Sequence, residues 1–207
     1  PPPKPVVVIP PRPTPPNGST LNVAIPAVGA DGVRHTILVD SLDAQRVWNL
    51  RSAFNVAALN CTAPQYGEII PAYSAFLKKH AKALNVANRG VDAVFRKKYA
   101  KGFVAERERY MTQVYNYFAY PPTLPQFCAS ALEMSRESGA VASKDLPEFS
   151  ERSFTHFIAV YEDFYRAYEK YRADLADWEA HYGTQSSAVQ PATPVAAAPA
   201  PGAPARN

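Results

Sequence analysis

The strongest pattern in the chain is a series of rings toward its C-terminal end. Phe154, Tyr161, Tyr168, Leu175 and Tyr182 recur every seven residues, and Phe157, Phe164, Tyr171 and Trp178 stand three residues after the first four. Apolar groups alternating at spacings of three and four share one stripe of an α-helix. The pattern therefore predicts a helix that opens at Pro147 and reaches Tyr182, roughly 54 Å at the helical rise, with Gly183 as its stop. A second heptad series, Ile70, Leu77, Leu84 and Val91, is interleaved with Tyr73, His80, Ala87 and Val94. It predicts one helix from Ile69 to about Tyr99 or Lys101, with Pro71 in the first turn, where its missing N–H costs nothing.

Three shorter helices complete the set. Val47, Leu50, Phe54, Ala57 or Ala58, and Cys61 form the stripe of a helix that starts at Asp40 or Ser41 as N-cap and ends near Asn60. Another runs from Phe103 to Ala119 and stops at Pro121-Pro122; the next follows Pro125, carries Cys128, Leu132 and Met134, and fades at Ser138-Gly139. Residues 21–39 read differently. Leu21–Ile25 and Val33–Val39 flank Gly29-Ala30-Asp31-Gly32, a turn whose glycines suit positive φ, and this predicts a β-hairpin. The fold class is mainly α, an elongated bundle of about five helices with that N-terminal hairpin packed against it.

Proline marks the ends. Nine of the 21 prolines lie in residues 1–16 and five in 191–204, so three segments are expected. Residues 1–18 form a flexible Pro-rich extended tail, 19–183 the folded domain, and 184–207 a flexible, disordered Ala/Pro-rich tail. Within the first tail, Val6 to Ile9 is confined by its prolines to a short edge strand at most. No apolar run reaches the length of a membrane span, so no transmembrane segment is expected.

Charge sharpens this division. The net charge is +4, but Lys4, Arg12 and Arg206 lie in the tails, which leaves 19 bases and 18 acids in the body. Within the body the signs separate: residues 78–109 carry ten bases and three acids, and residues 145–182 carry nine acids and four bases. The simpler account packs the two heptad helices together, with their opposite charges flanking the contact. The competing account makes Lys78, Lys79, Lys82, Arg96, Lys97, Lys98 and Lys101, with Phe95 and Tyr99 among them, an anion-binding face. Nucleic acid is not favoured, because the body as a whole is nearly neutral.

The only cysteines are Cys61 and Cys128. An even, sparse usage suits one disulfide in an oxidising compartment, and two buried thiols are the alternative. The chain opens Pro-Pro-Pro-Lys-Pro without a methionine, in keeping with removal of a signal peptide. Asn55-Val56-Ala57-Ala58-Leu59-Asn60-Cys61, Tyr73-x-x-Phe76-Leu77-x-x-His80, Tyr110-x-Thr112-x-x-Tyr115-Asn116 and Phe127-Cys128 together resemble uncharacterised exported helical proteins of proteobacteria. The resemblance spans about 80 residues and implies a secreted, disulfide-bonded helical protein of the periplasm or exterior; it carries over no activity.

Chemistry-bearing motifs are sparse. No His-Glu-x-x-His, Cys-x-x-Cys, Gly-x-Ser-x-Gly or phosphate loop occurs, so no metal, cofactor or catalytic residue is assigned. His80 stands in an apolar stripe, and a tyrosine hydroxyl of the last helix is its expected partner. Glu106 and Glu108 beside Arg107 and Arg109 suggest a solvated helix face first and a hydrolase acid second. Tyr115-Asn116-Tyr117-Phe118 reads as core packing or as the aromatic wall of a small-molecule pocket. The functional expectation is a non-enzymatic cell-envelope scaffold or interaction protein. Phe154, Phe157, Tyr161, Phe164, Tyr168, Tyr171 and Trp178 form its seam for a protein partner or self-association. A binder of anionic polymer, lipid headgroup or, least favoured, nucleic acid and an envelope hydrolase are the alternatives.

Overall fold

The structure, a computed structural model, describes residues 9–186. Six α-helices, linked by short turns, make up most of the described chain: α1 Asp43–Asn60, α2 Ile69–Lys79, α3 Ala81–Tyr99, α4 Phe103–Phe118, α5 Leu124–Ser138 and α6 Leu146–Ser186. The mainly-α bundle is as the periodicities predict. The chain divides into two compact units, one of Thr14–Tyr171 and one of the residues up to Pro13 with those from Arg172 onward.

In the larger unit α1 is central and packs against α2, α3, α4 and α5. Its expected stripe is buried throughout, with Leu50, Phe54 and Ala57 fully inaccessible and Val47 and Cys61 nearly so. The opposite side is covered as well, and there small and polar residues serve: Ala53, Ser52 and Asn49 have no exposed surface. Asn49 donates to the Tyr110 hydroxyl at 2.6 Å, and Ser52 donates to the Trp48 carbonyl at 3.2 Å, so most of this buried polarity is satisfied within the bundle. The N-cap is one residue later than expected, at Leu42, whose N–H is accepted by the Gln45 side chain at 3.0 Å. Cys61, just past α1, is joined to Cys128 in α5, with Cα atoms 5.5 Å apart.

Several sequence expectations are corrected. The helix predicted from Ile69 to Tyr99 is two helices, α2 and α3, separated at His80 (φ −104°, ψ 14°). The imidazole is wholly buried, 4.9 Å from the Phe76 ring and 3.0 Å from the Ser143 hydroxyl. Drawing that ring into the core bends the chain by one residue. The backbone bonds His80 N–H to Phe76 C=O and Leu84 N–H to His80 C=O survive on either side. The expected tyrosine from α6 is not its partner; Ser143, in the turn before α6, is. With the axis bent, the heptad series is no longer one stripe, and Ile70 is 59% exposed.

The predicted β-hairpin is not formed. Residues 21–39 contain one isolated antiparallel bridge, Val28 to Arg34, and no strand occurs among the described residues. The expected turn is present, with Gly32 at φ +78°. Its flanks, however, find their partners outside the segment. Val23 N–H donates to the Tyr168 hydroxyl at 3.1 Å, and that hydroxyl donates to the Thr20 carbonyl at 2.8 Å. Arg34 reaches back to the Pro26 carbonyl and outward to Glu162 and Glu169 at 3.1 and 2.9 Å. Backbone groups satisfied by α6 have no need of a ladder.

The described part of the proline-rich start makes specific contacts. In the larger unit, Pro16–Gly18 forms a turn, and Asn17 donates to the Pro122 carbonyl at 2.9 Å. In the smaller unit, Trp178 Nε1–H donates to the Pro10 carbonyl at 2.8 Å and Arg12 pairs with Glu179 at 2.6 Å. Helix α6 passes through Gly183 to Ser186; one glycine costs about 1 kcal/mol in a helix and does not by itself end one. Residues 1–8, including most of the expected edge strand, and 187–207 of the expected C-terminal tail lie outside the described residues.

Candidate functional site

The aromatic seam is a core. Phe157 and Tyr168 are fully buried, Tyr161 is 1% exposed, and Phe154, Phe164 and Tyr171 are buried too. Phe157 meets Phe118 and Phe127 at 5.7 and 5.4 Å, Tyr161 lies 4.0 Å from Tyr117, and Phe164 meets Tyr120 at 5.5 Å. Phe157, Tyr161, Phe164 and Tyr168 are covered by α4, α5 and the N-terminal segment, and all six rings are buried, so they offer no open docking face. Trp178, in the smaller unit, is half-buried. The ring partners of the seam are thus the end of α4, the residues just after it and α5.

The expected pairing between the basic and acidic blocks is not found among the ion pairs of the described residues. Among the described residues, none of Lys78, Lys79, Lys82, Arg96, Lys97, Lys98 and Lys101 forms an ion pair. Several acids of α6 are engaged elsewhere: Glu162 and Glu169 hold Arg34, and Glu148 pairs with Arg152 on its own helix. Within residues 78–109 the three acids are occupied by two arginines. Arg107 holds Asp92 at 2.6 Å and Glu108 at 2.9 Å, and Arg109 holds Glu106 at 2.7 Å. Glu106 and Glu108 are therefore ion-paired on a helix flank.

What remains is a face of uncompensated bases. Lys82, Arg89 and Arg96 are exposed at seven-residue intervals on α3, one stripe with charges about 10 Å apart along the axis. Arg89 belongs to this stripe although the sequence reading centred on its denser neighbours; the spacing of seven was the available signal. Arg96 lies over the Phe103 ring at 4.6 Å and Lys98 over Tyr99 at 5.1 Å, contacts that orient the cations without neutralising them. Lys97 and Lys98 also sit in the last helical turn, where the C-terminal carbonyls favour positive charge. Lys78 and Lys79 close α2, and Lys79 donates to the Gly139 carbonyl at 2.6 Å. Beside the Lys98 end lies a recess of about 490 Å³, lined by Phe95 and Tyr99 and by charges of both signs, Lys98 and Arg109 with Asp40 and Glu106. The link into α4 is strained there: Ala100 holds φ +48°, a region that side chains other than glycine rarely adopt.

The Tyr115–Phe118 segment splits between its two readings. Phe118 is core and Tyr115 accepts a hydrogen bond from Arg51 at 2.8 Å, whereas Asn116 and Tyr117 line a cavity of about 560 Å³. Tyr120, Tyr161 and Tyr165 join them from the end of α4 and from α6. Burial, reinforced by the phenols of Tyr165 and Tyr161, pushes the Tyr117 hydroxyl far above its ordinary range, and burial does the same to Tyr161. Both phenols stay protonated. No sequence signal assembles this wall, because its residues come from three distant segments.

Among the described residues no helix is long and apolar enough to cross a membrane, and no three His, Cys, Asp or Glu side chains group as a metal site would require. Comparison with known protein families, characterised proteins and solved structures finds no match for this chain.

Proposed function

We propose that this chain is an exported, non-enzymatic interaction protein whose working surface is the basic face of α3, docked on an anionic polymer of the cell envelope. The observation that carries the reading is the ion-pair census: every acid between residues 78 and 109 is taken by Arg107 or Arg109, and Lys78 through Lys101 are left with none. Like charges on one face repel, and the face gains stability when an anionic surface neutralises it. The bonded cysteines and the resemblance to exported helical proteins support a compartment outside the cytoplasm. Hydrophobic self-association through the α6 rings is not part of the proposal, since those rings are covered.

The test is salt-dependent retention on an immobilised polyanion, with heparin as the probe. Retention is expected to fall linearly in log affinity against log salt. Arg96→Glu, Lys97→Glu and Lys98→Glu together are expected to abolish it at physiological salt and flatten the slope by about 2. Retention that survives the triple reversal with an unchanged slope refutes the assignment of the face.

A further inference from the structure

The cavity beside Tyr117 has a composition distinct from the basic face, and its lining carries neither a carboxylate nor a cation. We infer that it is a binding site for a neutral hydroxylated ring, a saccharide unit, stacked on tyrosine and hydrogen-bonded at an amide rim. This does not depend on what the α3 face binds.

Three observations lead there. First, the wall presents ring carbon. Tyr117 is half-buried while its hydroxyl is wholly buried, so the part of its side chain open to the cavity is the aromatic ring. Tyr120 is half-buried, and Tyr165, itself buried, joins the lining with the Arg34 guanidinium 5.3 Å from its ring. Flat, weakly polar faces match the C–H face of a sugar ring, and tyrosine serves such surfaces because it is rigid.

Second, the rim is polar and unengaged. Asn22, Gln113 and Asn116 line the cavity, are exposed, and make no side-chain hydrogen bond among the described residues. Each amide offers a donor and an acceptor, the pairing that a hydroxyl, itself both, satisfies best. Third, the volume of about 560 Å³ falls within the range of small-molecule sites. The walls are also fixed: the Val23 and Thr20 backbone is tied to Tyr168, and Tyr117 is packed 4.0 Å from Tyr161. A wall so held loses little freedom when a ligand arrives. A charged sugar is disfavoured, because nothing in the lining compensates its charge.

The experiment is isothermal titration of the full chain with glucose, galactose and N-acetylglucosamine, with their linear oligomers, and with glucuronic acid as the charged control. Saturable binding of at least one neutral sugar is expected. Tighter binding of the oligomer than of its monomer identifies a glycan chain as the source, and equal binding identifies a free sugar. Asn116→Ala and Gln113→Ala, both on the exposed rim, are expected to weaken binding about fivefold to tenfold each. Ala24→Trp, which fills the cavity from an exposed loop, is expected to abolish it. The Arg96, Lys97 and Lys98 reversal is expected to leave it unchanged, which separates this site from the basic face. Absence of saturable binding by every neutral sugar, equal binding by the rim variants, or preference for glucuronic acid overturns the inference. If Ala24→Trp does not fold, the two rim variants still decide it.

Discussion

Removing the Cys61–Cys128 bond tests how the bundle is held together. The bond ties the end of α1 to α5 across 67 residues of chain. Opening a loop of that length releases about 4 kcal/mol of loop-closure entropy into the unfolded chain. Domains of this kind are stable by only about 5–15 kcal/mol, so the loss is a large share of the total. Both sulfurs are buried, Cys61 at 8% and Cys128 at 3% exposure, and alanine is therefore a better replacement than serine. For Cys61→Ala/Cys128→Ala we expect urea unfolding to show a loss of about 4 kcal/mol and melting to fall by about 8–16 °C. Because the effect lies in the unfolded state, the urea m-value should rise as the released chain expands. A loss below about 1 kcal/mol refutes the loop-closure argument. So does a full loss with an unchanged m-value, which would move the effect into native packing.

Three further outcomes follow from particular contacts. A Cβ at Gly90 would stand 2.7 Å from the Ala44 Cβ; Gly90→Ala should cost about 1–3 kcal/mol in urea unfolding, and Ala44→Gly in the same chain should recover most of it. Burial, with Lys79 adjacent, holds the His80 imidazole below its ordinary value of 6.5. Its contribution is complete above pH 6.5 and is lost as pH falls below it, because the unfolded chain binds the proton first; His80→Gln should flatten that acid limb of a stability–pH profile. Ala100→Gly should stabilise by about 1 kcal/mol in thermal or urea unfolding, since the φ of +48° is strained for alanine and free for glycine.

Local periodicity carried α1, α4 and α5 to within a few residues of their bounds, because each stripe is decided by its own side chains and caps. It also found the α6 stripe, but not what the stripe meets. A heptad seam states that one face is buried and says nothing of which element covers it. Phe157 packs on Phe118 and Phe127, and those rings advertise no complementary period. The hairpin failed for a related reason. Alternation around Gly29–Gly32 was a fair local signal, yet Tyr168, nearly 150 residues away, takes both Val23 N–H and Thr20 C=O. The break at His80 was half legible. An imidazole in an apolar series announces a buried partner, but the distant Ser143 supplies it. The tyrosine cavity was visible only as Asn116-Tyr117, one of its three walls.

Charge counting by sequence block suggested that the basic and acidic regions exist for each other. The pairing pattern argues otherwise. The α6 acids Glu162 and Glu169 are committed to Arg34, an arginine with 4% of its side chain exposed, which pins the N-terminal segment to the bundle. That use is architectural: without the two carboxylates a buried guanidinium would be left with only the Pro26 carbonyl. On α3 the reverse holds. Asp92, its only acid, is spent on Arg107, and Lys82, Arg89, Arg96, Lys97 and Lys98 stand in water. The capping preference of a helix C-terminus accounts for Lys97 and Lys98, but not for Lys82 near the opposite end or Arg89 in the middle. Among the described residues no ion pair engages those two charges, which stand exposed about 10 Å apart along the axis. On the reading proposed above, the anionic partner is what these charges meet.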